Sequence, residues 1–297
     1  MTALSVERVS KRYGRKIALD DVSFTCPSGS VTAFCGPNGA GKSTALRVLT
    51  GIVRADSGVA RVGPTPVQEL SCPGRTLGVL LDASAFHPGR TVSETLRLGA
   101  ATIGVPRQRV AECFELVGLT TVARRRVGTL SLGMRQRLGI AHALLGSPRV
   151  LVLDEPANGL DPSGIDWLDG LLARFARNGG SVVISTHHLA GVERIADRLV
   201  AISRGRIVAD VAVSDISETT RVEVASTDTE LLRSALSAAA IDHDLQTGRV
   251  MAHASAESVG RVLHHHGVVV TRLVPEVRRL DEFLSAVTDP EFVGGRP

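Results

Sequence analysis

The run Thr129–Asp161 reads TLSLGMRQRLGIAHALLGSPRVLVLDEPANGLD. Leu130-Ser131-Leu132-Gly133 sets a hydroxyl and a small residue at the start of a helical stretch. A helix start presents unpaired N–H groups, which suit an anion. A short loop follows, and the four apolar residues Val150–Leu153 then form a buried strand ending in Asp154-Glu155. A strand ending in two carboxylates can hold a metal ion and activate water.

Upstream, Ser30–Cys35 (SVTAFC) is a second short apolar run. It leads into Gly36-Pro37-Asn38-Gly39-Ala40-Gly41-Lys42-Ser43-Thr44, which fits G-x-x-x-x-G-K-S, and Ala45–Leu49 continues as helix. Strand, glycine loop and helix in that order form the setting of a phosphate-binding loop. The glycines let backbone N–H groups wrap a phosphate, and the helix start adds partial positive charge. Lys42 is expected to bridge the β- and γ-phosphates. The chain holds 34 basic residues but only the lysines Lys11, Lys16 and Lys42. A slim point charge fits this geometry where an arginine fork does not. Ser43 is expected to ligate Mg²⁺ through its hydroxyl, with Asp154 holding the ion through water. Glu155 is placed to polarise the attacking water as general base.

Bulk properties narrow the class. Hydrophobic residues make up 43% and charged residues 22%, ordinary for a globular core. No apolar run approaches the ~18 residues of a membrane span. The start, MTALSVERVSKRYG, has no basic segment followed by an apolar one, so no signal peptide is expected and the location is expected to be cytoplasmic. Cys26, Cys35, Cys72 and Cys113 show no Cys-x-x-Cys spacing and are expected to be buried free thiols. Net charge is +4, with no long basic cluster, so no nucleic-acid partner is expected. Arg124-Arg125-Arg126 is expected to be a solvated helix end.

Together these motifs resemble the ATP-binding cassette (ABC) ATPase family over roughly residues 4–210. The resemblance implies an α/β fold: a P-loop NTPase core with an antiparallel β subdomain and a helical subdomain. It implies ATP and Mg²⁺ as bound groups. Leu130–Met134 matches the family signature, usually LSGGQ, and departs from it at Leu132 and Met134. Two cassettes pair head to tail in that family, so Ser131 and Gly133 are implied to bind the γ-phosphate held by a partner's Lys42. The resemblance makes Tyr13 the aromatic that stacks on adenine. It makes Asn158-Gly159-Leu160-Asp161 the D-loop, so Asp161 stands at the dimer seam. His187, after the strand Val182–Thr186, matches the switch histidine that contacts the γ-phosphate, with His188 a bystander. Gly205-Arg206-Ile207-Val208 matches the closing hairpin. The strand Leu77–Leu81 is followed by Asp82, where the family has a glutamine that touches Mg²⁺. An ionised aspartate only accepts hydrogen bonds. It can still meet the metal, directly or through water; alternatively Ser84 or His87 substitutes.

Residues 84–147 are expected to form the helical subdomain. Thr91 and Glu94 have the spacing of a capping box, and apolar positions recur at helical spacing through Ala111–Val117. The cassette is assigned to residues 1–212 and a small α+β extension to 213–297. In the extension, strands are expected at Arg221–Val224, Arg249–Ala252 and Val268–Leu273. Helices are expected at Thr229–Ala240, Ala256–His264 and Leu280–Val287. The ending RRLDEFLSAVT is similar to the extension of exporter ATPases of the daunorubicin- and bacitracin-resistance kind. His264-His265-His266 reads as a solvated turn, since three adjacent side chains cannot all converge on one ion. The implied function is the ATP-hydrolysing subunit of an exporter of a small drug-like or lipid molecule. It would sit on the inner face of the membrane with a separate multi-span permease and a second cassette, a homodimer being expected. A regulatory cassette with little turnover and a soluble, non-transport ABC protein stand as alternatives.

Overall fold

The computed structural model describes residues 2–186, 193–217, 221–246, 249–275, 283–284 and 287–288. These fall into two units, Met1–Val213 together with the C-terminal Leu284–Pro297, and Ser214–Phe283.

The first unit is built on a six-stranded sheet in the order β10-β9-β3-β8-β7-β6. Its strands are β3 (Val31–Cys35), β6 (Leu77–Leu80), β7 (Val150–Asp154), β8 (Ser181–Thr186), β9 (Arg198–Ser203) and β10 (Arg206–Ala212). All neighbours pair in parallel except the edge strand β10, which turns back on β9 through Arg204-Gly205. Strands β3 and β8 are buried along their whole length, as a parallel sheet covered on both faces requires, and that is why they read as unbroken apolar runs. Helix α1 (Lys42–Leu49) follows β3. A smaller antiparallel sheet has the order β2-β1-β4-β5, from β1 (Thr2–Tyr13), β2 (Lys16–Pro27), β4 (Ser57–Val62) and β5 (Thr65–Pro66). Its inner residues Leu4, Val6, Leu19 and Phe24 share one core with Leu46 and Leu49 of α1 and Phe34 of β3. The Phe24 and Phe34 rings meet at 5.1 Å.

Between β6 and β7 run α3 (Val92–Ile103), α4 (Arg107–Val117) and α5 (Leu132–Leu144), with the short α2 (Pro73–Thr76) just before β6. Thr91 and Glu94 form the expected capping box: Glu94 N–H donates to Thr91 Oγ1 at 3.1 Å, and Thr91 N–H donates to Glu94 Oε2 at 2.7 Å. Arg124, Arg125 and Arg126 do not end a helix. They form an exposed turn, and Arg126 makes a single bridge to Thr91. Strand β6 stops at Leu80, one residue short of expectation, and Asp82 lies in the loop beyond it. Helix α6 (Pro162–Arg177) leads from the D-loop segment to β8.

The second unit carries β11 (Val222–Ser226), β12 (His243–Gln246), β13 (Arg249–Ala252) and β14 (Val270–Pro275) in the order β12-β13-β11-β14. After the short α7 (Val213–Ser217), helices α8 (Thr229–Ala238) and α9 (Ala256–His265) alternate with these strands. The succession β-α-β-β-α-β with β11 and β13, its first and third strands, inside the sheet is the ferredoxin-like arrangement. Strand β12 was not expected, and β14 begins at Val270 rather than Val268. Val222, Val224, Leu236, Val250, Val259 and Leu263 make a core of the unit's own. Most of the helix expected at Leu280–Val287 lies outside the described residues. Leu284 and Thr288 belong to the first unit, where Ser203 Oγ donates to the Thr288 carbonyl at 3.5 Å.

Candidate active site

The parallel register of β3, β7 and β8 brings three strand ends to one edge: Cys35↔Thr186, Asp154↔Ser185. The loop after β3 crosses that edge and enters α1. Gly41 is the N-cap of α1 at φ 113°, and an added Cβ would lie 2.6 Å from the Ala18 carbonyl oxygen. No side chain caps this helix, so its first N–H groups remain available to an anion. The loop is also braced from outside, because Gly205 N–H donates to the Ala40 carbonyl at 2.8 Å. Lys42 is 8% exposed, and its Nζ donates to the Gly36 carbonyl at 2.7 Å and the Pro37 carbonyl at 3.2 Å. Those carbonyls hold the ammonium inside the loop.

A cleft of about 600 Å³ runs along this edge. Asn38, Gly39, Gly41, Lys42, Ser43 and Thr44 line its floor, and Asp82, Asp154 and Glu155 line one wall. Tyr13, Lys16 and Ala18 from the antiparallel sheet border the cleft as well. Tyr13 is 47% exposed, and Lys11 Nζ stands over its ring at 5.6 Å from the centre. Of the predicted residues, Gly36, Pro37, Ala40, Ser131, Gly133 and Asp161 do not border the cleft, while Leu132, next to Ser131, does. Lys16, Ala18 and Gln136 border it too and had no assigned role. The rarity of lysine is the signal that could have found Lys16.

The carboxylates are held differently. Asp154 accepts a short hydrogen bond from Ser185 Oγ. Glu155 sits at φ 47°, left-handed backbone that costs a non-glycine residue about 1–3 kcal/mol. Its N–H is pinned by Ser185, to the carbonyl at 3.2 Å and to Oγ at 3.0 Å, and its carbonyl accepts from Gln136 Nε2 at 3.4 Å. Asp82 Oδ1 accepts from the Ser84 N–H at 2.7 Å and the Ser84 hydroxyl at 2.6 Å. The hydroxyl, then that N–H, hold the Asp82 carboxyl below the usual carboxylate range. Asp82 is therefore ionised at neutral pH, with Oδ2 left for another partner.

The helix α5 start stands against the D-loop segment of its own chain. Ser131 is the N-cap of α5, its Oγ accepting from Met134 N–H at 3.2 Å. A Cβ on Gly133 would come within 2.7 Å of the Gly159 carbonyl oxygen. Asp161 is the N-cap of α6: Gly164 N–H donates to Oδ1 at 3.0 Å and Ser163 Oγ donates to Oδ2 at 2.9 Å. His187 and His188 lie outside the described residues.

A parallel sheet with a phosphate loop after its first strand β3, two carboxylates at the end of β7 and an aromatic from a second sheet define a P-loop nucleoside triphosphatase. The family described as ABC transporter matches residues 19–158. The chain is 33% identical over 295 residues to an uncharacterized ABC transporter ATP-binding protein, YdbJ, of Bacillus subtilis (strain 168), covering 96% of this chain and 95% of that one. It is 30% identical over 302 residues to the bacitracin transport ATP-binding protein BcrA of Enterococcus faecalis, covering 98% and 96%. A solved structure of an ATP-binding subunit of an ABC transporter superposes with TM-score 0.67 at 28% identity, over 72% of this chain and 92% of that one. The chain belongs to the ABC transporter ATP-binding family and is an ATPase. Among the described residues, no helix is long and apolar enough to cross a membrane.

Proposed function

We propose that this chain powers export of an antibiotic-like, drug-like or lipid molecule through a separate multi-span permease, as one of two identical cassettes. The observation that carries the ATP site is the single cleft that Lys42, Ser43, Asp154 and Glu155 share with Tyr13. ATP lies with its base on Tyr13 and its phosphates on the Gly36–Thr44 loop. Lys42 leaves the loop carbonyls to bridge the β- and γ-phosphates, and the uncapped N–H groups of α1 receive phosphate oxygens. Glu155 takes the proton from the attacking water, and His187 holds that water in line. The strained backbone at Glu155 keeps the carboxylate at the sheet edge instead of letting the chain run straight on.

The fit to Mg²⁺ rests on the donor set. Ser43 Oγ and the Asp82 and Asp154 carboxylates are hard oxygen donors on one cleft. Among the described residues, no group of three or more His, Cys, Asp or Glu forms an all-protein cage. That suits an ion which keeps waters and uses substrate phosphates as ligands. When bound, Mg²⁺ supplies charge neutralisation on the phosphates.

The second cassette contributes Ser131 and Gly133 to this γ-phosphate, and Asp161 lies at the seam. The Ser131 hydroxyl can cap α5 and donate to phosphate together, because it accepts with one lone pair and keeps its proton to give. Binding energy then closes the pair, and hydrolysis reopens it. The chain sits on the inner face of the membrane through its permease. The cassette is residues 1–212, and the extension expected at 213–297 is cut back to the unit Ser214–Phe283, since Leu284–Pro297 groups with the first unit. The bacitracin transport relative, which matches along nearly the whole chain, supports an antibiotic-like cargo. Isothermal titration of Lys42→Ala with MgATP tests the phosphate site; the expected outcome is loss of measurable binding. Wild-type affinity in that variant would contradict it. Co-purification of a permease tests the assembly.

A further inference from the structure

We propose that Lys16 is a second nucleotide-binding cation, acting on the ribose–α-phosphate part of ATP. The placing rests on the phosphate loop holding the triphosphate. Tyr13 and Lys16 are register partners across the two-residue turn Gly14-Arg15, with Gly14 at φ 59°. Directly opposed strand residues carry their side chains on one face, Cβ atoms about 5 Å apart. Both side chains border the cleft, whereas Arg15 between them does not. A base stacked on Tyr13 therefore lies beside the Lys16 ammonium. The rest of the nucleotide must run from there towards Lys42, and the first anionic group on that path is the α-phosphate.

The hairpin that presents Lys16 is braced. Lys11 Nζ sits 2.7 Å from Asp56 Oδ1, and Asp56 Oδ2 accepts from Arg12 N–H at 2.7 Å. The same Lys11 ammonium stands 5.6 Å from the centre of the Tyr13 ring, within cation–π range. Lys16 makes no ion pair with a described carboxylate, so its charge is not spent inside the chain. All three lysines of this arginine-rich chain thus stand at the cleft or on the tyrosine that borders it. A compact ammonium suits one phosphate oxygen; a guanidinium prefers a two-oxygen fork.

The experiment is isothermal titration of wild type, Lys16→Met and Lys16→Arg with MgATP, MgADP and AMP at low and high salt. Adenosine affinity is read alongside by displacement of a fluorescent nucleotide. Methionine keeps the length and removes the charge. Lys16→Met should weaken ATP, ADP and AMP alike, by about three- to fivefold for a solvent-exposed charge pair. The loss should shrink at high salt, Lys16→Arg should recover most of it, and adenosine should be unaffected. Three results overturn the proposal: unchanged nucleotide affinity, a loss confined to ATP, or an equal loss for adenosine, which would mean the hairpin had been disturbed. The phosphate-loop placement is tested separately by Lys42→Ala, so each reading can fail without the other.

Discussion

The contact between Leu132 and Gly159 ties the start of α5 to the D-loop, and Gly159→Ala measures it. Gly159 stands at φ 74°, and left-handed backbone costs an alanine about 1–2 kcal/mol. Its new Cβ would also lie 2.4 Å from Leu132 Cγ and Cδ2 and 2.9 Å from Leu132 Cβ. The last of these is close to the backbone and cannot swing away, so overpacking adds about 1–3 kcal/mol. The total expected loss is about 2–5 kcal/mol. Leu132→Ala alone should cost under about 1 kcal/mol, because Leu132 is 45% exposed. In the double variant the overlaps with Cγ and Cδ2 disappear, while the 2.9 Å contact with the Cβ and the backbone cost remain, so Leu132→Ala should rescue Gly159→Ala in part, by about 1–2 kcal/mol. Trp167, the only tryptophan, lies on α6 in the first unit; its Nε1 donates to the Leu116 carbonyl at 3.2 Å, and Arg137 covers its ring at 4.3 Å. Urea unfolding followed by Trp167 fluorescence therefore reads that unit alone. Additivity of the two substitutions within about 0.5 kcal/mol would refute the interlock.

Glu155→Gln should trap an ATP-bound dimer on size-exclusion chromatography; a variant that stays monomeric in saturating MgATP would remove the two-chain site. Asp82→Gln should keep or raise ATPase activity, and a large loss would show that the ionised carboxylate has its own part in turnover. Burial pushes the Cys26 and Cys35 thiols up to about 12 and raises Cys113 as well, so a thiol reagent should label Cys72 first in the native chain. Early labelling of Cys35 would place the β3 end in solvent. The Ser163 hydroxyl, then the Gly164 N–H, hold Asp161 below the usual carboxylate range. A carboxyl lowered in the folded state stabilises above its unfolded pKa, and that stability is lost as pH falls through the folded value. The gap between wild type and Asp161→Ala in urea should therefore be full at pH 7 and narrow in acid; a constant gap would contradict it.

The phosphate loop, the carboxylates after β7 and the Thr91–Glu94 cap were legible because each is local. A glycine pattern, an apolar run and a three-residue spacing each act within a turn or a strand. Membership of the ABC family followed from the order of these pieces. The local reading failed where contacts come from far along the chain. Nothing near Lys11 announces Asp56, 45 residues on, yet their ion pair fixes the hairpin that carries Tyr13. The ferredoxin-like order of β11–β14 was equally hidden, since short strands of similar composition do not state which neighbours they choose.

By itself, then, the sequence picked out the proposed chemical parts: Lys42 and Ser43 for phosphate and metal, Asp154 and Glu155 for metal and water, and, through the family resemblance, Ser131 for a facing chain. Only the tertiary structure decided that Lys16 and Ala18 border the same cleft and that Leu132 closes over Gly159. It also gave Asp82 Oδ1 to Ser84. The physical reason is register. Parallel pairing lines up the ends of β3, β7 and β8, and an antiparallel hairpin sets Tyr13 opposite Lys16. Both alignments are fixed by burying a shared core, which no single stretch of sequence contains.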